Sequence, residues 1–496
     1  MRATDHLRPA DAALERYWRN ALFFVFAVTL ARLAWLALGK ADLYADEAQY
    51  WYWSLHPALG YYSKPPMVAW LIAVTTRFLG DNELAVRLAA PLLHFATALV
   101  VFAVAARLYD PRIAAWSAAV YATLPGVSAS ALIISTDAPL LLCWTAAVYA
   151  FIRAREHDET RWWIGVGLAA GLGLLSKYAM AYWLISALLY LAVFRDERRH
   201  LPRFFAATAL AFLIYAPNFA WNVAHGFVSY HHTEANASLH GSLFHPGHLA
   251  AFFGSQFGVF GPLLFAALVI MVVLSARTLK DRRAAFLALF ALPTLAMMLV
   301  VSILSRAQPN WAAPTYVSAT VLVVAWLLAS GWRWVVPASV ALHFAAAVLV
   351  LEAHDIAAAV GYNLPAKYDI LHRLRGWKRL GAAVSRQLAL HPGAILLAEN
   401  REDMAELLYY VHPHPFNALK WNGDDNLPHD QFDLEAKPQS YIGKNMLLVS
   451  PDYDVSRILR RFADASGPIM HVIIPLGGGE SRDYVIHYLK GFEGYR

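Results

Sequence analysis

The feature that most restricts this chain is the series of apolar runs filling its first 350 or so residues. Each is about 17 to 25 residues long, enough for a helix to cross a hydrocarbon core of ~30 Å. A chain of 496 residues that is 59% hydrophobic and only 15% charged fits no ordinary soluble enzyme. The spans read roughly as 21–39, 83–106, 112–131, 138–153, 162–176, 178–194, 204–221, 248–275, 284–304, 313–330 and 334–351. About eleven spans put the chain ends on opposite sides of the membrane. The stretch before the first run carries Arg2, Arg8, Arg16 and Arg19. A signal peptide would have a shorter apolar core and a small-residue cleavage site, so an uncleaved first span is expected.

Orientation follows from the short connections. Arg107 and Arg112, then Arg153, Arg155 and Arg161, then Arg195, Arg198, Arg199 and Arg203, then Arg277, Lys280, Arg282 and Arg283, then Arg333, all fall on one side. The other side has only Lys40, Lys64, Arg77, Lys177 and Arg306. The richer side is cytoplasmic by the positive-inside rule. The net charge of +6 is thereby a topology signal, and no nucleic-acid partner is expected. The single cysteine, Cys143, lies inside a span and excludes a disulfide framework or a thiolate zinc site.

Two outer loops stand out, 40–82 and 217–248. The first begins Tyr44-Ala-Asp46-Glu47-Ala-Gln-Tyr50-Trp51-Tyr52-Trp53 and continues to Tyr61-Tyr62-Ser63-Lys64-Pro-Pro66. Its aromatic residues are expected to draw it into the membrane interface, where a lone carboxylate is poorly solvated. Asp46 and Glu47 also suit helix capping or a solvated loop. Asp137, in Ser135-Thr-Asp-Ala-Pro139, independently marks the outer end of a span. Two such carboxylates suit a general base divided between activating and orienting roles.

Lys64 precedes two prolines, which fix φ and bias the residue before them to an extended form. An aimed ammonium suits a lipid phosphate; Arg306 and Lys177 are further outer cations. Together they would bind a phosphate and stabilise it as a leaving group. Tyr62, Gln308, Asn310 and Trp311 suit sugar or acceptor contacts, as do His231 and His232 in the second loop. His231 and His232 with Glu234, or His245 with His248, leave a divalent metal open. The spacing is no metal signature, so no metal ligand and no required cofactor are expected. Met67–Gly80 is too short to span and reads as an interfacial amphipathic helix.

After residue 352 the apolar runs stop. Short β-type runs at 394–398, 445–449 and 471–474 alternate with helical patterns at 402–411 and 455–465. A membrane domain over 1–351 and a small α/β domain over 352–496 follow, the latter outside the cytoplasm. Gly477-Gly-Gly479 reads as a flexible turn.

At these motifs the chain resembles the bacterial GT-C glycosyltransferases, the protein O-mannosyltransferase-like superfamily. It is most similar to their lipid A aminoarabinose transferase and galacturonosyltransferase group. The resemblance rests on Asp46-Glu47 after span one, Tyr-Tyr-Ser-Lys64-Pro-Pro, Thr136-Asp137-Ala-Pro139 and Ser305-Arg306. It implies a GT-C-type polytopic α-helical membrane protein of the inner membrane, with its active site and C-terminal α/β domain periplasmic. It also implies inverting transfer of a sugar from a polyprenyl-phosphate donor to an envelope glycolipid or glycan such as lipid A or lipopolysaccharide core. By position Asp46 would be the catalytic carboxylate, with Glu47 completing the acidic pair. Lys64 and Arg306 would hold the donor phosphate, and Asp137 would sit across the cavity. The residue before the lysine, often acidic in the aminoarabinose transferases, is Ser63, which removes one metal ligand. The competing readings are a lipid-linked sugar transporter, against which the lack of internal repeats counts, and a protein O-glycosyltransferase.

Overall fold

The computed structural model describes residues 9–237, 244–274, 281–423 and 427–495. Arg2, Arg8, Arg277 and Lys280 lie outside the described residues. The chain divides into two compact units. One takes the described parts of 1–37, 64–68 and 87–347, the other 38–63, 69–86 and 348–495.

The first unit is helical. Six helices are long and apolar enough to cross a membrane: Ala12–Ala37, Glu83–Leu108, Asp137–His157, Arg195–Ala224, Arg282–Leu304 and Val335–Ala359. Helices Pro246–Val259 and Pro262–Leu274 form a bent pair, a seventh if the two count as one span, and Tyr178–Val193 and Thr315–Ala329 are apolar but shorter. Six or seven of the about eleven expected spans are thus matched by helices of full length among the described residues, and several of the other runs are broken or shorter. Segment 112–131 breaks at Leu124–Pro125 into Pro111–Thr123 and Pro125–Ser130. Segment 248–275, expected as one span, turns by 119°. Gly261 makes that turn at φ +88°, and a Cβ there would lie 2.0 Å from His343 Nε2. Pro262 then starts the next helix where its missing N–H costs nothing. The segment 217–248, expected as an outer loop, is helical over most of its described residues. Helix Leu201–Ala224 runs through Pro217, and Val228–Ala237 follows.

Close packing in this unit comes from small residues. A Cβ on Gly167 would meet Ala207 O at 2.8 Å, and one on Gly171 would meet Ala211 O at 3.0 Å. The Gly167-x-x-x-Gly171 spacing thus brings helix Thr160–Ser176 onto the backbone of Leu201–Ala224, as small-xxx-small pairs do in membranes.

The second unit carries a six-stranded sheet. Its strands are β1 Ile395–Ala398, β2 Leu419–Lys420, β3 Met446–Ser450, β4 Phe462–Ala465, β5 Met470–Gly477 and β6 Glu480–Phe492. The order is β2-β1-β3-β6-β4, with β5 also paired to β6. β1 runs parallel to β2 and β3, whereas β6 is antiparallel to β3, β4 and β5. Ile395, Leu397, Met446, Leu448, Leu489 and Phe492 bury one face against Trp421 and Ile458. Strands expected at 394–398, 445–449 and 471–474 are present. Segment 455–465, expected as one helix, is instead the short helix Ser456–Leu459 followed by β4. The glycine run closes the β5–β6 hairpin. Gly478 N donates to Asn363 Oδ1 at 2.7 Å, and a Cβ on Gly477 would sit 2.5 Å from Leu364 O.

The 38–63 segment packs within this same unit. Helix Ala45–Leu55 buries Trp51 and Trp53 completely, where the sequence suggested aromatics facing the interface. Trp51 lies edge-on to Tyr409 at 4.9 Å between centroids, on helix Arg401–Tyr410. Leu43 N donates to Tyr410 Oη, which donates in turn to Glu83, both at 2.6 Å. Helix Met67–Leu79 forms as expected.

Candidate active site

In the helical unit Asp137 opens helix Asp137–His157, where a carboxylate opposes the positive end of the helix dipole. It is almost fully buried, and its two oxygens have different partners. Lys177 Nζ donates to Oδ1 at 2.6 Å and Asn310 Nδ2 to Oδ2 at 2.7 Å. Lys177 stands in extended backbone between helix Thr160–Ser176 and the turn Tyr178–Met180, which aims a single side chain out of two helical runs. Asn310 sits in the turn Pro309–Ala312. Gln256, buried, supports that turn: its Nε2 lies 3.4 Å from Pro309 O, and Tyr316 Oη donates to its Oε1 at 2.6 Å. The Lys64 ammonium is near enough to act on Asp137 through space. Three distant sequence candidates are thus joined directly.

Arg306 is exposed on the segment leading to Asn310. The preceding Ser305 is held by His248, whose Nδ1 donates to Ser305 O at 3.1 Å. Gln308 is exposed and Trp311 half-buried. His231 is exposed, 3.6 Å from Glu234, and His232 is half-buried. Among the described residues no group of three His, Cys, Asp or Glu side chains is placed to hold a metal ion.

In the second unit Asp46 lies in the first turn of helix Ala45–Leu55. Arg401 Nη1 donates to Asp46 Oδ1 at 2.8 Å and also to Gln49 Oε1. Glu47 is fully buried, and its Oε2 accepts from Tyr44 N at 2.9 Å, closing the start of its own helix. Tyr62 is tied to the C-terminal part of its unit: its N donates to Gln431 Oε1 at 2.7 Å and its hydroxyl to Pro428 O at 2.9 Å. Sequence reasoning missed Arg401, Gln49 and Gln256. Gln49 follows Asp46 by one helical turn, a usable signal; Arg401 and Gln256 carried none.

Residues 63–221 match a family model described as dolichyl-phosphate-mannose-protein mannosyltransferase. The lipid A galacturonosyltransferase RgtD of Rhizobium johnstonii is 32% identical over 443 residues, covering 87% of this chain and 90% of that protein. The chain belongs to this glycosyltransferase family. Two crystal structures of ArnT from Cupriavidus metallidurans share the fold at 17% identity, covering 94% of this chain and 97% of theirs. The TM-score is 0.65 for the apo state and 0.63 for the state bound to undecaprenyl phosphate. The fold is therefore the GT-C fold with a C-terminal sheet domain, and the protein is a multi-pass membrane glycosyltransferase. The transporter reading falls away.

Proposed function

We propose that this glycosyltransferase moves a uronic acid from a polyprenyl-phosphate donor to lipid A at the periplasmic face of the inner membrane. The single observation that carries the donor side is the Asp137–Lys177–Asn310 cluster, an ammonium held in place by one buried carboxylate, with Lys64 close enough to act on that carboxylate through space. An ammonium whose position is fixed before the substrate arrives needs no reorganisation when charge develops on a leaving phosphate. The acceptor and sugar rest on the name of the Rhizobium relative, and the orientation rests on the arginine-rich connections.

The chemistry is a single displacement. Asp46 takes the proton of the acceptor hydroxyl as its oxygen forms a bond to the anomeric carbon. The bond from that carbon to the phosphate oxygen breaks, with inversion. The bonding pair leaves on the polyprenyl phosphate, whose charge is met by Lys64, Lys177 and Arg306. The activated bond arrives on the lipid, so no nucleotide enters. Glu47 shapes the helix that presents Asp46.

Mass spectrometry of lipid A from cells with and without the chain tests this reading. A gain of one uronic acid per lipid A is expected. Unchanged lipid A with a new mass on core oligosaccharide would move the acceptor, and a different added mass would change the sugar. Lys64→Ala is expected to weaken binding of polyprenyl monophosphate about 10- to 100-fold, the range for one charge-assisted hydrogen bond. Unchanged affinity would remove Lys64 from the phosphate site.

A further inference from the structure

We infer that Arg401 is a positioning residue for the carboxylate of Asp46, so that the C-terminal part of the chain supplies a working part of the reaction. The inference rests on the reading of Asp46 as the base.

The geometry is specific. Asp46 and Gln49 are three residues apart on one helix and therefore share a face. Arg401 Nη1 bonds to both, reaching Asp46 Oδ1 at 2.8 Å. Among the described residues no side chain or backbone group takes Asp46 Oδ2. One oxygen is thus pinned and the other is left to receive a proton. Asp46 and Arg401 are 41% and 34% exposed at their side chains, open enough to meet a substrate hydroxyl.

Arg401 is an awkward residue for its place. It begins helix Arg401–Tyr410, where the helix dipole disfavours a cation. Burial works against its charge, and Asp46, with Glu402 and Tyr50, together offset this and hold the guanidinium above its usual range. The end of the helix that carries it is firmly built. Asn400 caps it by accepting from Asp403 N at 2.9 Å and donating to Asp403 Oδ2 at 2.6 Å. Asp403 Oδ1 accepts from Tyr484 Oη on β6 at 2.7 Å. The sheet fixes Asp403, Asp403 and Asn400 fix the helix start, and Arg401 carries that rigidity to Asp46. A half-exposed carboxylate in the first turn of a helix otherwise samples several rotamers, and in-line attack tolerates little of that.

The test uses purified full-length protein with polyprenyl-phosphate-linked uronic acid and lipid A, and compares Arg401→Ala, Arg401→Lys and Asp46→Asn. Arg401→Ala is expected to lower kcat about 10- to 100-fold with the donor KM and thermal midpoint unchanged. Arg401→Lys, or guanidinium ion added to the alanine variant, is expected to recover much of that loss. Wild-type kcat in Arg401→Ala beside an inactive Asp46→Asn would overturn the inference and leave the base reading standing. Loss of activity together with thermal stability, unrescued by lysine or guanidinium, would also overturn it, as a structural effect. Full activity in Asp46→Asn would bring down the base reading and this inference together.

Discussion

Asp46→Asn is expected to lower sugar transfer by at least about 10²-fold, the usual contribution of a general base, with folding and donor binding left intact. The substitution keeps the shape of the side chain and an oxygen that still accepts from Arg401. What it removes is the lone pair able to take a proton at neutral pH, since an amide oxygen is too weak a base. Stability should barely move. The ion pair it weakens is partly exposed on both sides, and such pairs contribute only about 0–1 kcal/mol. Two measurements on equal amounts of protein decide it: the modified glycolipid by mass spectrometry, and the melting midpoint in detergent. Near-normal product in the variant would take Asp46 out of the base role, and a collapsed midpoint would make the activity loss uninformative. A third possibility, an active variant with weakened acceptor binding, would turn Asp46 into an acceptor ligand.

The membrane architecture was legible because a bilayer imposes length and apolarity directly on the residues. The breaks inside runs were less so. Pro262 looks like any proline in an apolar run, and only the left-handed Gly261 against His343 shows why the chain turns there. Asp137, Lys177 and Asn310 could each be picked out as a polar residue at the end of an apolar run. Their joining could not, because it depends on how three span ends converge. The acidic pair of the first loop shows the opposite limit. Adjacent residues on a helix point to different faces, and here Glu47 turns inward to its own helix start while Asp46 meets Arg401. The reach from Asp46 to Arg401, 355 residues, is invisible to any local pattern. Segment 455–465 failed for a simpler reason. Its apolar residues satisfy a helical period and a short edge strand equally, and pairing of Phe462 and Ala465 with β6 decides for the strand.

The largest expected effect on stability is that of Asp137→Ala. Its carboxylate and the Lys177 ammonium are 8% and 19% exposed at their side chains, and removing one partner of a buried pair costs about 3–5 kcal/mol. The loss comes from a cation left without its counter-charge. The penalty therefore has two cures, and they separate the structural role from the functional one. Replacing the lysine as well, in Asp137→Ala/Lys177→Met, should restore most of the melting midpoint, because an apolar pair of similar volume needs no desolvation. Supplying an anion should do the same only if the site receives one. Polyprenyl monophosphate is then expected to raise the midpoint of Asp137→Ala by more than it raises the wild type, its phosphate standing in for the missing carboxylate. Equal shifts in the two proteins would mean that Lys177 and Lys64 do not face the donor phosphate, and the pair would be a fastening between helices. A larger shift in the variant, lost again in the Lys177→Met background, would place the phosphate on the lysine that Asp137 holds in the resting enzyme.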